Sequence, residues 1–192
     1  MSTPESARFL LMYVVIPLWI LAGFADWICH RRTNIEGTSG MKENVFHWVL
    51  LAQGAVAVIA MALLEVNALV LLLVFAVFLA HEFTTWLELH YTVPLRQVGP
   101  GEQMIHSFLE LMPLVALALL AVMHWDQATS LLSESMPDFS PYLKDEPWPA
   151  QWLKYTALAV LLLNVLPLAE ESWRCSRAAA LRSRTPAPPA PT

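Results

Sequence analysis

Charge is scarce in this chain. Of its 192 residues only 14% are Asp, Glu, Lys or Arg, against roughly 25% in an ordinary soluble domain. No long basic run is present and the net charge is −5, which argues against nucleic acid as a partner. Cysteine is nearly absent: Cys29 and Cys175 are the only two. The topology derived below puts both on the reducing, cytoplasmic side, so no disulfide is expected. The first apolar run, from Phe9, has no small-residue cleavage site after it and ends in Asp26-Trp-Ile-Cys-His30. It does not read as a secretory signal.

What the chain has in abundance is apolar sequence, 57% of it. Several runs approach the ~20 residues that carry a helix across a bilayer. Window hydropathy and flanking charges predict an all-α integral membrane protein with transmembrane segments at about 9–28, 44–64, 68–91, 103–124 and 152–169. Together they form one helical domain over 1–173, followed by an Arg/Ala-rich and then Pro-rich tail over 174–192 that is expected to be disordered. Val66-Asn67 makes a tight hairpin of the second and third segments, and the stretch from Trp125 to Gln151 reads as a surface loop with a short interfacial helix. Pro17 predicts a kink in the first segment, and Asn164 with Pro167 a kink and a polar contact in the fifth.

Lys and Arg orient the bundle. With the N-terminus outside, Arg31, Arg32, Lys42, Arg96, Arg174, Arg177, Arg182 and Arg184 fall inside, and only Arg8, Lys144 and Lys154 outside. That bias predicts N-out and C-in, in a cell membrane of the bacterial inner-membrane type.

Five of the six histidines then gather toward one face; His124 alone is on the other. Asp26/His30, Glu43/His47 and Glu102/His106/Glu110 are i, i+4 sets, so each lies along one helical face. His81, Thr85 and Glu88 make a similar stripe on the third segment. Four helices each presenting an acid and an imidazole resemble in composition the way bundles hold two metal ions. An ionisable group inside a span costs a few kcal/mol unless paired or liganded. The candidate ligands are Asp26, His30, Glu43, His47, His81, Glu88, Glu102 and His106, with Glu110, Glu36 and His90 in supporting positions. The spacing is i+4 rather than the Glu-x-x-His of ferritin-like bundles. Glu43 and Glu102 also suit first turns by the helix dipole alone, and Thr38 or Ser39 would cap the second segment. Arg31, Arg32 and Arg96 make a candidate anion or headgroup site. The fifth segment carries no histidine and is expected only to support the bundle.

Mixed oxygen and nitrogen ligands suit iron, manganese or zinc. The leading expectation is a membrane metalloenzyme with two divalent ions, iron favoured, oxidising or hydroxylating a lipid or other apolar substrate with an unidentified electron donor. A zinc-dependent lipid hydrolase, a transporter of protons or divalent cations, and a haem-binding protein are the alternatives.

Overall fold

The structure is a computed structural model and describes residues 2–133 and 136–184. Five long helices dominate it: α1 (Thr3–Thr33), α2 (Met41–Leu63), α3 (Ala68–Thr92), α4 (Pro100–Met123) and, after a six-residue helix α5 (Trp125–Ser130), α6 (Ala150–Arg182). All five long ones have the length and apolar character to cross a membrane. No strand forms among the described residues beyond a single bridge between Leu64 and Leu143.

Two helices outrun the expected segments. α1 starts at Thr3 because Ser2 and Glu5 form a reciprocal capping box ahead of the apolar run. α6 continues to Arg182, so residues 174–182 of the expected tail are helical, and 185–192 lie outside the described residues. The extra turns are held by side chains: Arg174 pairs with Glu36 and Glu170, and Arg182 donates to the Glu36 carbonyl.

Proline shapes α1 and α6 in the same way. A π turn, Leu11–Val15, ends just before Pro17, and another, Leu161–Val165, ends just before Pro167. A proline has no N–H for the usual i→i−4 bond, and a one-residue shift of the ladder accommodates the break. Asn164, in the second π turn, donates to the Ile20 carbonyl of α1 at 3.1 Å. The close approach needs Gly23, where an added Cβ would sit 2.6 Å from the Asn164 amide nitrogen.

The α1–α2 connection is compact. α1 stops at Asn34 in the left-handed region (φ 56°), Ile35–Gly37 makes one 3-10 turn, and Gly40 (φ 63°) leads into α2. Gly40 is the residue before the helix, so neither Thr38 nor Ser39 caps it; the Ser39 hydroxyl is drawn to the Glu43 carboxylate instead.

At the opposite end, residues 136–149 form a strap across the α2–α3 hairpin. Lys144 N–H donates to the Leu63 carbonyl and its ammonium to Met61, while Glu65 N–H donates to Tyr142 and Asn67 to Ser140. The Lys144 bonds satisfy carbonyls that the C-terminus of α2 would leave open. Burial of Lys144 pulls its ammonium below the ordinary lysine range. Beneath the strap sits the apolar core: Leu11, Met61, Val70, Leu71, Leu120 and Trp148. Elsewhere the spans turn bare hydrophobic side chains outward, among them Ile59, Leu79, Phe83 and Trp86, each more than half exposed. An apolar belt of this kind is what contact with lipid tails accepts and water does not.

Candidate metal centre

The antiparallel order of the helices brings the C-terminal part of α1, the N-terminal turns of α2, the C-terminal half of α3 and the start of α4 to one end of the bundle. α1, α2 and α4 each bring the acid and imidazole expected from the i, i+4 spacing, and α3 brings Glu88. Asp26, His30, Glu43, Glu88 and Glu102 are all buried, and His47 and His106 nearly so.

His30 is the hub. Its ring is 1% exposed, and its Nε2 faces Asp26 Oδ1 at 3.4 Å, Glu102 Oε1 at 3.6 Å and Glu43 Oε1 at 3.9 Å. None of these contacts has hydrogen-bond geometry: His30 Nε2, Asp26 Oδ1 and Glu102 Oε2 are buried without a hydrogen-bond partner. His106 Nε2 approaches the same Asp26 oxygen at 3.0 Å. His47 lies beside His30 and reaches Glu88 through Nε2 at 3.2 Å.

Two sets of donor atoms converge tightly. One is Asp26, His30, Glu102 and His106; the other is His30, Glu43 and His47; within each, the atoms lie within 4.8 Å of one another. Donors sharing one ion at about 2.0–2.2 Å are separated by up to ~4.3 Å. The clusters are therefore within a small side-chain adjustment of a coordination sphere, and they share an imidazole.

Of the eight predicted ligands, six supply these two sets, and Glu88 is outside both but meets His47 Nε2. His81 does not join either set. It sits deeper, with its ring edge toward Trp19 at 6.2 Å, because it is two turns before Glu88 on α3. Glu110 lines the cavity described below. Glu36 is occupied by Arg174 at the rim. His90 is exposed and folds back on its own helix, its Nδ1–H donating to the Trp86 carbonyl (2.9 Å), so it supports nothing in the cluster.

Two participants were not expected. Glu171 of α6 is fully buried and bridges the imidazoles, with one oxygen 3.1 Å from His30 Nδ1 and the other 3.0 Å from His47 Nδ1. Asn44 donates to the same carboxylate at 2.9 Å, and Ser172 holds the Asn44 carbonyl at 2.7 Å. A carboxylate only accepts, so each Nδ1 donates to Glu171; the Nε2 of His30 is left without a hydrogen-bond partner, while the Nε2 of His47 meets the Glu88 carboxylate. That is how an outer carboxylate orients a ligating histidine. α6 is thus part of the site and not merely its support. Arg96 is the second surprise. It does not join Arg31 and Arg32 at an anion site: it is buried, gripping Glu43 through two nitrogens and Glu102 through one of them. Burial opposes its charge, but the two carboxylates outweigh that and hold the guanidinium more firmly protonated than usual. Arg31 instead pairs with Glu170, and Arg32 is exposed.

Five buried carboxylates thus face one guanidinium. With neutral imidazoles the cluster holds four uncompensated negative charges, which two divalent cations would balance. Buried charge without compensation is costly, so protons or metal ions must supply the remainder.

A cavity of about 550 Å³ opens from the cluster. Asp26, His30, His47, Glu88, His106 and Glu171 line one end; from there toward the strap its walls are almost wholly apolar, with Trp19, Leu50, Val58, Ile59 and Leu161. A mainly apolar chamber with a few convergent polar groups is the usual form of a small-molecule site. No family model, curated protein or solved structure matches this chain.

Proposed function

We propose that the chain is a multi-pass membrane metalloenzyme. It holds two divalent ions between His30, His47, His106 and the carboxylates of Asp26, Glu43, Glu88 and Glu102. Its substrate is a lipid or other apolar molecule taken from the bilayer. The observation that carries this reading is the pair of buried polar atoms without a hydrogen-bond partner, His30 Nε2 and Asp26 Oδ1, on residues that line one end of the apolar chamber. A protonated Nε2 would donate to one of the three carboxylates around it; it donates to none.

Iron is the favoured ion, because carboxylate and imidazole donors without thiolate match iron bound for oxygen chemistry. The reaction is then a hydroxylation. One atom of dioxygen enters a substrate C–H bond and the other leaves as water, with two electrons and two protons from an external reductant. The protein's own contribution is positioning: Glu171 fixes both imidazoles, Arg96 holds Glu43 and Glu102, and the apolar walls exclude water. Zinc-dependent hydrolysis of a lipid ester or amide is the nearest rival. A through-path for ions is disfavoured by the packed apolar core under the strap. A haem held between His30 and His47 is disfavoured because their rings stack 4.4 Å apart, with no room for a porphyrin between them.

The charge bias of the connecting segments supports N-out and C-in, placing the cluster beneath the cytoplasmic face of a cell membrane. The test is to load detergent-purified protein with ferrous iron without oxygen, add a membrane lipid extract and a reductant, and admit air. Oxygen uptake with a lipid product one oxygen atom heavier is expected. Lipid hydrolysis that needs zinc and no oxygen would replace this reading with the hydrolase, and neither activity with any metal would remove it.

A further inference from the structure

We propose that the occupant of the chamber is a single hydrocarbon chain of a membrane lipid, entering sideways through a cleft between α2 and α6. The proposal rests on the metalloenzyme reading and names its substrate class and entry route.

α2 and α6 are joined only at the cluster end. Asn44 bonds to the Leu168 carbonyl and to Glu171, His47 to Glu171, and Trp48 Nε1 donates to Ser172. All of these fall within 44–48 of α2 and 168–172 of α6. Farther along, no hydrogen bond joins the two helices among the described residues. There Ala55 and Ile59 of α2 and Ala157 and Leu161 of α6 line the chamber and remain accessible, Ile59 by 57% and Leu161 by 45%. α2 packs against residues 166–182 of α6 and not closely against residues 150–165, so the two helices are pinned at the cluster end, and the wall between their far ends is the entry we assign.

The dimensions select the occupant. From His47 to Ile59 the helix rises about 18 Å, more than half of the ~30 Å hydrocarbon core. A cavity of about 550 Å³ spread over that length has a cross-section on the order of 30 Å². One flexible chain fits. Small residues set the width: Gly54 lies under the Trp19 ring, where a Cβ would come within 3.2 Å. Because most of the titratable groups lie at one end, with His81 and Glu110 about two turns deeper, the chain is presented lengthwise, with one segment beside His47 and Glu88 and the remainder on mainly apolar walls.

The experiment uses the full-length protein in phosphatidylcholine vesicles doped with a phosphatidylcholine bearing a photoactivatable diazirine on one acyl chain. Labelled peptides are mapped by mass spectrometry, and bound metal is measured on the same preparations. Labelling is expected on the peptides carrying Ala55, Ile59, Ala157 and Leu161. It should fall several-fold in Ala55→Trp and in Ala157→Trp, which fill the cleft from opposite sides without touching the cluster, and stay at the wild-type level in Leu79→Trp on the outer face. Labelling confined to outward residues such as Phe83, or unchanged in both cleft variants, overturns the proposal even where metal is bound. Cleft labelling in a protein that binds no metal keeps the lipid route and removes the enzyme reading.

Discussion

The imidazole of His30 lies stacked on that of His47, ring centroids 4.4 Å apart and planes 11° from parallel. Both rings turn Nδ1 to the same carboxylate, Glu171. Their Nε2 atoms then serve different acids: Asp26, Glu43 and Glu102 around one, Glu88 at the other. One outer acid therefore sets the orientation of two candidate ligands that belong to adjacent sites.

Replacing that acid should be costly out of proportion to its distance from any ion. In Glu171→Gln the amide offers one acceptor oxygen and one donor nitrogen, so at least one Nδ1–H loses its acceptor. Metal affinity is expected to fall by about 10–100-fold, measured by competition with a chelator. Asn44→Ala should move it in the same direction by less. An unchanged affinity in Glu171→Gln means that the carboxylate is structural only.

Arg96 already fills part of the cation requirement of Glu43 and Glu102. In Arg96→Met both carboxylates lose that partner, and breaking a buried pair costs about 3–5 kcal/mol. The metal-free variant should melt well below the wild type. Added Mn²⁺ should recover much of the loss, a larger gain than in the wild type, because binding to the folded state alone stabilises it. Melting curves with and without Mn²⁺ check this; a loss that metal does not touch contradicts it.

Packing between the two proline-bent helices makes a prediction independent of metal. Gly23→Ala puts a Cβ into the Asn164 amide and breaks its bond to the Ile20 carbonyl. A loss of about 1 kcal/mol is expected, seen as a lower melting temperature with metal binding retained. Combined with Asn164→Ala the second substitution should add little.

The strap end makes its own contribution to the pH dependence. His124, just past α4, is pulled below the ordinary imidazole value of 6.5 by burial and by the nearby Lys144. Its folded form binds a proton less readily than the unfolded chain, so stability is complete above 6.5 and declines as pH falls below it. The decline in melting temperature on going below pH 6.5 should be smaller in His124→Gln than in the wild type. Equal declines in the two proteins would contradict this assignment.

Much of this was legible in the sequence. The i, i+4 pairs Asp26/His30, Glu43/His47 and Glu102/His106 place acid and imidazole on one face whatever the tertiary fold, and hydropathy alone orders the helices antiparallel. Glu171 was hidden because it sits in Glu170-Glu171-Ser-Trp-Arg, which reads as a polar stretch after a span and has no histidine one turn away. Its identity as the bridging acid depends on how far α6 continues, and that is fixed by rim contacts of Arg174 and Arg182 with the α1–α2 connection. Arg96 misled for a related reason: a loop arginine looks like a surface charge until the fold turns it inward. His81 had the right stripe but the wrong depth, since a shared face does not fix how far along the axis the partner helices present their groups.

The most direct test of the central claim is elemental analysis of the full-length protein, purified in mild detergent, beside His30→Ala, His47→Ala and His106→Ala. The account predicts close to two equivalents of a transition metal in the wild type and a marked loss in each variant, greatest in His30→Ala because that ring belongs to both donor sets. A folded wild type that takes up no metal, even when iron, manganese and zinc are supplied in excess, would contradict it.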